Sequence, residues 1–269
     1  MPRLFSVASW NVEHFNDEQT RVQRVAEFIA GQHNGPARVP DIFALYEVVG
    51  KDIFWEFMNR FPDHRFHLTE GKQTQEIFIG VHKRLTSFVT LRLEFKIQRD
   101  FQRPGLLLTV QLKNLYFSFL FLHVRSGSST EDFGMRDASL IHAFNLKKAL
   151  DKVSGGQANF IFLGDLNTMG IKDPVPYSKM LDLSPEQEVE RIALWSQKRN
   201  MMLLDKESVS INGEDHVVTW YNGSRSYQPA NLDHVVASDH MDIRSEKREQ
   251  GKVSVLGWPK LFGSRHALL

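Results

Sequence analysis

Hydrophobic and polar positions along the chain fall into short runs that predict many strands and few helices. Leu4 to Trp10, Asp41 to Tyr46, Phe66 to Leu68, Glu76 to His82, Leu106 to Leu112 and Leu115 to His123 are stretches of strand length. Thr86 to Ile97 alternates imperfectly through Phe88, Leu91, Leu93 and Phe95, as a half-exposed strand does. The Lys113-Asn114 pair between two of these runs predicts a tight hairpin. Helical spacing covers Arg21 to Ala30, with Val22, Val25, Ala26 and Ile29 on one side, and a breaker-rich loop, Gly31 to Pro40, follows. Ile53 to Phe61, Asp132 to Lys152 and Pro185 to Gln197 also read as helices. The last third returns to strands at Val217 to Tyr221, Leu232 to Ala237 and Val253 to Leu256. Single helices between more numerous strands favour an α/β layered domain with mixed sheets over a purely parallel doubly wound sheet.

Polar residues recur where these runs stop. The run Ala158 to Leu163 ends in Gly164-Asp165-Leu166-Asn167. In an extended chain residues i and i+2 share a face, so Asp165 and Asn167 can address one ligand. A carboxylate beside a carboxamide suits a hydrated divalent metal next to a phosphate. An Asx turn that merely ends the strand is the competing reading. Asn11 and Glu13 follow the first run, Glu47 the second and His123 the Leu115 run, and Asp233 interrupts the Leu232 run. Loops at one edge of a layered sheet commonly converge on a ligand site, so the recurrence carries more weight than any single residue.

Composition narrows the classes. The 269 residues are 42% hydrophobic and 24% charged, with a net charge of +1. That is ordinary globular material, and no linker or charge block divides it, so one domain over 1–269 is expected. The near-neutral balance does not mark a dedicated nucleic-acid binder. With no cysteine in the chain, disulfide scaffolds and thiolate metal sites are excluded. Met1 to Trp10 lacks the basic segment and long apolar core of a secretory signal, and no apolar run reaches membrane-spanning length. A cytoplasmic protein without membrane association is expected, and nothing suggests a protein partner.

The segments SWNVEHF (9–15), DIFALYEV (41–48), QEIFIGV (75–81), FLHVRSG (121–127), FLGDLNT (162–168), TWYNGS (219–224) and NLDHVVAS (231–238) occur in order. Together they resemble the deoxyribonuclease I-like endonuclease/exonuclease/phosphatase superfamily over nearly the whole chain. The resemblance implies a four-layer α/β sandwich: two mixed β-sheets packed face to face and flanked by helices. It implies a divalent-metal-dependent phosphodiester hydrolase in which Asn11 and Glu47 hold Mg²⁺, with Mn²⁺ as the alternative. Asp165 would orient or deprotonate the attacking water, and Asn167 would contact the phosphate or that water. His123 would stand beside the phosphate with Glu76 as its acidic partner, and Asp233 would pair with a C-terminal histidine.

The family closes with Ser-Asp-His followed by a short apolar strand, and two segments compete for that role. Ser238-Asp239-His240 has the letters; Ser264-Arg265-His266 has the place, after the additional strand Val253 to Leu256 and Gly257-Trp258-Pro259. His266 is therefore expected to be the catalytic histidine and His240 a loop residue. Arg265 then replaces an acid. Turned inward, it would compete with the metal for Glu47 or clamp the phosphate, lowering activity that Arg265→Asp would restore.

A nucleic-acid or other phosphodiester substrate is implied, with DNA first and RNA second. A phosphomonoesterase, a sphingomyelinase-like phosphodiesterase and a catalytically disabled phosphate binder are the alternatives. Arg125, Ser126 and, further along, Arg136 are candidate phosphate contacts, or else parts of a solvated loop with helix caps. Lys72, Arg99, Arg103, Arg225 and Lys252 are candidates for lining a groove. Trp220 and Tyr221 either stack on a base or fill the space between sheets, and Trp220 is expected in the core.

Overall fold

In the strand β2 (Ile42–Val48), Ile42, Ala44 and Tyr46 join one apolar cluster while Phe43 and Leu45 join another. The period-two alternation therefore buries both faces of the strand, which is why its sequence reads as an unbroken apolar run. The same holds in β4 (Glu76–His82), where Ile77, Ile79 and Val81 face one way and Phe78 the other. With β1 (Val7–Phe15) and β3 (His64–Leu68) these strands form a four-stranded mixed sheet in the order β1-β2-β4-β3. Only the β1–β2 pairing is parallel. Helices α1 (Gln19–Ile29) and α2 (Asp52–Arg60) cover its outer face through Val22, Val25, Phe28, Ile53 and Phe57.

The second sheet has six strands, in the order β5-β6-β7-β8-β13-β9. These are β5 (Thr86–Arg92), β6 (Gly105–Leu112), β7 (Leu115–His123), β8 (Asn159–Asp165), β9 (Met201–Leu203) and β13 (Asp233–Ser238). Phe117, Phe119, Phe121, Ile161 and Leu163 point to the core between the sheets, and Leu120, Leu122, Phe160 and Phe162 point outward. The outward set packs under α3 (Thr130–Ser154) and α4 (Pro185–Gln197). The result is the expected helix–sheet–sheet–helix order. Short strands β10 (Asp205–Lys206), β11 (Val209–Ile211), β12 (Glu214–His216) and β14 (Lys252–Val253) make two small satellite ribbons.

The computed structural model describes residues 3–69, 76–96, 103–172, 182–224, 228–257 and 264–269. Four local expectations change. β1 runs on to Phe15 rather than stopping at Trp10, so Asn11 lies within the strand. The strand expected over Thr86 to Ile97 ends at Arg92 and passes into a 3₁₀ turn, Leu93–Lys96, that buries Phe95 beside the α3 face; Ile97 lies outside the described residues. Val217 to Tyr221 forms no ladder; Trp220 makes isolated bridges to Ala230 and His266. The strand expected over Val253 to Leu256 is the two-residue β14, with Leu256 bridged to Leu268 instead. Residues 264–269 lie along β1: Ser9 and Leu269 exchange backbone hydrogen bonds of 2.9 Å, and Trp10 Nε1 donates to His266 O at 2.9 Å. Among the described residues no helix is long and apolar enough to cross a membrane.

Candidate active site

Strand register builds the first wall of the site. His123 lies opposite Asp165 in the parallel β7–β8 pair, and Asp165 lies opposite Asp233 in the antiparallel β8–β13 pair. Three polar side chains therefore stand in one row at the end of the larger sheet, all nearly inaccessible. His266 joins them from the closing segment, with Nδ1 2.8 Å from Asp233 Oδ2 and Nε2 3.9 Å from Asp165 Oδ2. His266, and not His240, meets Asp233. His240 lies beyond the other end of β13, with Nε2 3.0 Å from Asn159 Oδ1.

The facing wall comes from the smaller sheet. Asn11 Nδ2 donates to Glu47 Oε1 at 3.1 Å and to Asp165 Oδ2 at 2.8 Å, joining the two walls. Glu47 Oε2 accepts from the His14 backbone N–H at 2.9 Å. Glu13, His14 and Glu47 all have positive φ, and the β1–β2 register shifts between Asn11 and Phe15. A non-glycine residue held there costs about 1 kcal/mol or more, and such strain clusters at ligand sites. Arg21 on α1 fixes the irregular backbone, donating to the carbonyls of Val12, Glu13 and His14.

Charge is arranged unevenly across these groups. Burial and the neighbouring Asp233 push the Asp165 carboxyl up, to about 7, against the opposing pull of His266. Burial works against a charged His266, but the Asp233 and Asp165 carboxylates outweigh it and raise the imidazole to about 9. His123 goes the other way: burial, then Arg103 and His266, hold it well below 6.5, so it is neutral. Its Nε2 is 3.5 Å from both Glu47 Oε1 and Asp165 Oδ2, and its buried Nδ1 has no hydrogen-bond partner among the described residues. Burial would raise Glu47, but hydrogen bonds from His14 and Asn11, with the charge of Arg103, bring it below the usual range.

These residues fit a hard divalent cation. Glu47 Oε1 and Asp165 Oδ2 converge on the single Asn11 nitrogen; Glu47 and Asn11 would hold a cation there once the Asn11 amide turned and its oxygen gave up the Glu13 N–H. A second oxygen-rich group, Asp165, Asp233 and His266, has ligand atoms within 4.8 Å of one another. In that group the His266–Asp233 hydrogen bond already occupies one ligand pair.

Other expected positions differ. Glu76 accepts a hydrogen bond from the Thr69 hydroxyl and does not reach His123, because it opens β4 opposite Val48, where the β2–β4 register shifts. Asp165 and Asn167 do not share an extended face: Asn167 has φ 46°, and its backbone N–H donates to Asp165 Oδ1 at 3.0 Å, an Asx turn. Asn167 nevertheless stays buried at the strand end, with Nδ2 3.2 Å from Val124 O. Arg265 does not turn inward against Glu47. Its guanidinium is half exposed, pairs with Glu13 Oε1 at 2.6 Å, and lies 5.6 Å above the Trp220 ring. Arg125 reaches Asp132 at 2.7 Å on the rim, and Ser126 beside it is exposed. Arg136 is fully buried and cannot be a phosphate contact.

Of the groove candidates, Arg103 comes within electrostatic reach of Glu47, Asp165 and Glu76, and Lys252 pairs with Glu249 at 2.6 Å. Lys72, Arg99 and Arg225 lie outside the described residues, as do Gln75, Trp258 and Pro259 of the quoted segments. Trp220, expected in the core, is only partly buried, whereas Tyr221 is buried. Sequence reasoning gave no role to Tyr46, whose hydroxyl lies 3.0 Å from Ser9 Oγ and whose ring stands 6.0 Å from His123. Only its place next to Glu47 could have marked it.

Two face-to-face mixed sheets that bring carboxylate, carboxamide and histidine side chains together at one end are the architecture of a class of phosphodiester-hydrolysing enzymes. The chain belongs to the Endonuclease/Exonuclease/phosphatase family, whose model matches residues 8–266. Comparison with curated proteins by sequence finds no match. Truncated TDP2 from Caenorhabditis elegans is similar in structure, with a TM-score of 0.60 at 16% identity, over 98% of this chain and 95% of that one. The human Nocturnin catalytic domain with bound sulfate anion gives 0.60 at 16%, covering 98% and 90%. D. rerio TDP2 complexed with single strand DNA product gives 0.55 at 15%, covering 98% and 96%. At these identities the likeness is one of fold.

Proposed function

We propose that the chain hydrolyses phosphodiester bonds in nucleic acid, DNA before RNA, with Mg²⁺ or Mn²⁺ held by Asn11 and Glu47. The observation that carries the reading is the shared position of Asp165. Its Oδ2 accepts from the Asn11 amide on one side and faces His266 Nε2 on the other. A structural neighbour complexed with single strand DNA product and another with bound sulfate support the choice of an oxyanion-bearing substrate. The residues drawn into the site run from Asn11 to His266, which supports a single working domain over 1–269.

Held by Asn11 and Glu47, a divalent cation would supply positive charge to offset that of the scissile phosphate and of the leaving oxygen. The protein groups do the rest. Asp165, raised by burial, accepts a proton from the attacking water as its oxygen bonds to phosphorus and the ester P–O bond breaks. His266 is fixed in orientation and charge by Asp233 and stabilises the anionic phosphate. Asn167 Nδ2 uses one hydrogen on Val124 O and keeps a second for a phosphate oxygen. Neutral His123 donates from Nε2. Arg125, Ser126 and Arg265 line the rim, where they meet flanking phosphates.

The test is purified protein with Mg²⁺ or Mn²⁺ on single-stranded and duplex DNA, RNA, a nitrophenyl phosphodiester and a phosphomonoester. Cleavage of DNA that EDTA and Asp165→Ala both abolish supports the reading. Cleavage of the monoester alone, or DNA binding without cleavage, overturns it in favour of a phosphomonoesterase or a disabled binder.

A further inference from the structure

Arg136 on α3 and Glu188 on α4 are both almost wholly buried, at 0% and 2% exposure. Arg136 Nε donates to Glu188 Oε1 at 2.8 Å, and an η-nitrogen donates to Oε2 at 3.0 Å. The guanidinium lies 5.8 Å above the Phe133 ring, and among the described residues the pair's remaining hydrogen bonds go to backbone. Arg136 donates to Gly170 O at 2.9 Å and to Gly127 O, and Glu188 Oε2 accepts from Gly170 N at 2.8 Å. Gly127 belongs to the loop after β7 that carries Arg125 and Ser126, residues 124–129. Gly170 belongs to the loop after β8 that carries Asn167, residues 166–172.

Both glycines stand at sharp turns, with φ of +114° and +71°. A Cβ at Gly127 would fall 2.2 Å from Asp132 Oδ2, and one at Gly170 would fall 2.1 Å from Leu183 O. Neither turn can be satisfied by a strand ladder, so its carbonyl needs another donor. The planar fork of one guanidinium supplies donors to both loops at once. The loops also touch directly, through Lys172 N to Ser128 O at 2.8 Å and Asn167 Nδ2 to Val124 O at 3.2 Å. A buried ion pair is by itself poor evidence of stabilisation, because desolvation offsets the attraction. What this pair supplies is a fixed distance between two loops.

We propose that Arg136 and Glu188 are positioning residues that lock residues 124–129 to residues 166–172 and so hold Asn167 in register with His123 and Asp165. The catalytic half of the proposal rests on the phosphodiesterase reading above. Arg136→Lys keeps the charge and loses the fork; Glu188→Gln keeps an acceptor for Gly170 N and secures the test should the first variant fail to fold. Each is compared with the parent, well below its unfolding temperature, for kcat, KM and amide hydrogen exchange. The lock predicts a fall in kcat of about tenfold or more per folded molecule with KM little changed, since small misplacements of reacting groups are costly. It also predicts faster exchange in both loops together, with the β8 amides Phe160 to Leu163 unchanged. An unchanged kcat, or faster exchange confined to one loop or spread over β8, overturns it. A parent that cleaves no phosphodiester overturns the functional reading instead, and the exchange measurement then decides the lock alone.

Discussion

Arg265→Asp restores the acid that the family pattern places here, and pattern alone makes it a gain of activity. The structure gives the opposite sign. Arg265 donates through Nε and an η-nitrogen to Glu13, whose side chain is 11% exposed, and its backbone N–H bonds the same carboxylate. The substitution removes an ion pair worth about 0.5–1 kcal/mol for a half-exposed arginine. It also sets a new carboxylate near Glu13, adding roughly 1 kcal/mol of repulsion at about 5 Å in a water-like dielectric. Glu13 sits in left-handed backbone whose carbonyl Arg21 holds, so it has little freedom to retreat. The sum is a destabilisation of about 1–2 kcal/mol, or a fall in Tm of roughly 2–8 °C for a chain of this size. Calorimetry of the parent, Arg265→Ala, Arg265→Asp and the exchanged pair Glu13→Arg with Arg265→Glu checks it. Arg265→Ala should lose less than Arg265→Asp, the exchanged pair should regain most of the loss, and Mg²⁺-dependent cleavage by Arg265→Asp should not exceed the parent. An Arg265→Asp variant as stable as the parent and faster would refute the reasoning, because Arg265 would then be displacing the cation.

Asp233→Asn removes the charge that holds His266, and kcat should fall about a hundredfold or more with the fold intact, measured on a nitrophenyl phosphodiester and by circular dichroism. Glu47→Gln should abolish the Mg²⁺-dependent rise in Tm that binding to the native state alone produces in the parent. Lys206 is buried beside His234 Nδ1, near Asp233 and Asp205, and burial lowers it from 10.5 to about 8. Between those values the unfolded chain binds the proton and the folded chain does not, so stability rises with pH from about 8 to 10.5, by about 3 kcal/mol at most. Urea titrations across that range should show the slope in the parent and its loss in Lys206→Met.

The layered fold was legible because both faces of each central strand are buried, so β2, β7 and β8 read as continuous apolar runs with clear ends. The ends carried the polar residues, which made Asn11, Glu47, His123, Asp165 and Asp233 visible before their geometry was. Less legible was everything fixed by contacts distant in sequence. Arg265 and Glu13 are 252 residues apart, and Arg136 and Glu188 are 52 apart; neither pair leaves a local pattern. Glu76 was misread because strand identity does not reveal whether its first side chain turns to Thr69 or to a histidine on the other sheet. Trp220 is expected in the core, yet the residue stays partly open beneath Arg265.

The two walls of the site are built differently, and that difference bears on what binding can change. His123, Asp165 and Asp233 are set by strand register, where a slip of one residue would turn every side chain to the other face of a sheet buried on both sides. Such a wall cannot adjust by small steps. Glu47 and the residues just after Asn11 instead hang on irregular backbone, with Glu13, His14 and Glu47 at positive φ and Arg21 holding three carbonyls. The Asn11 amide there donates to both Glu47 and Asp165, and it would have to turn for Asn11 and Glu47 to hold a cation. Structural response to Mg²⁺ should therefore concentrate in residues 11–14 and at Glu47, and leave the β7–β8–β13 row where it stands.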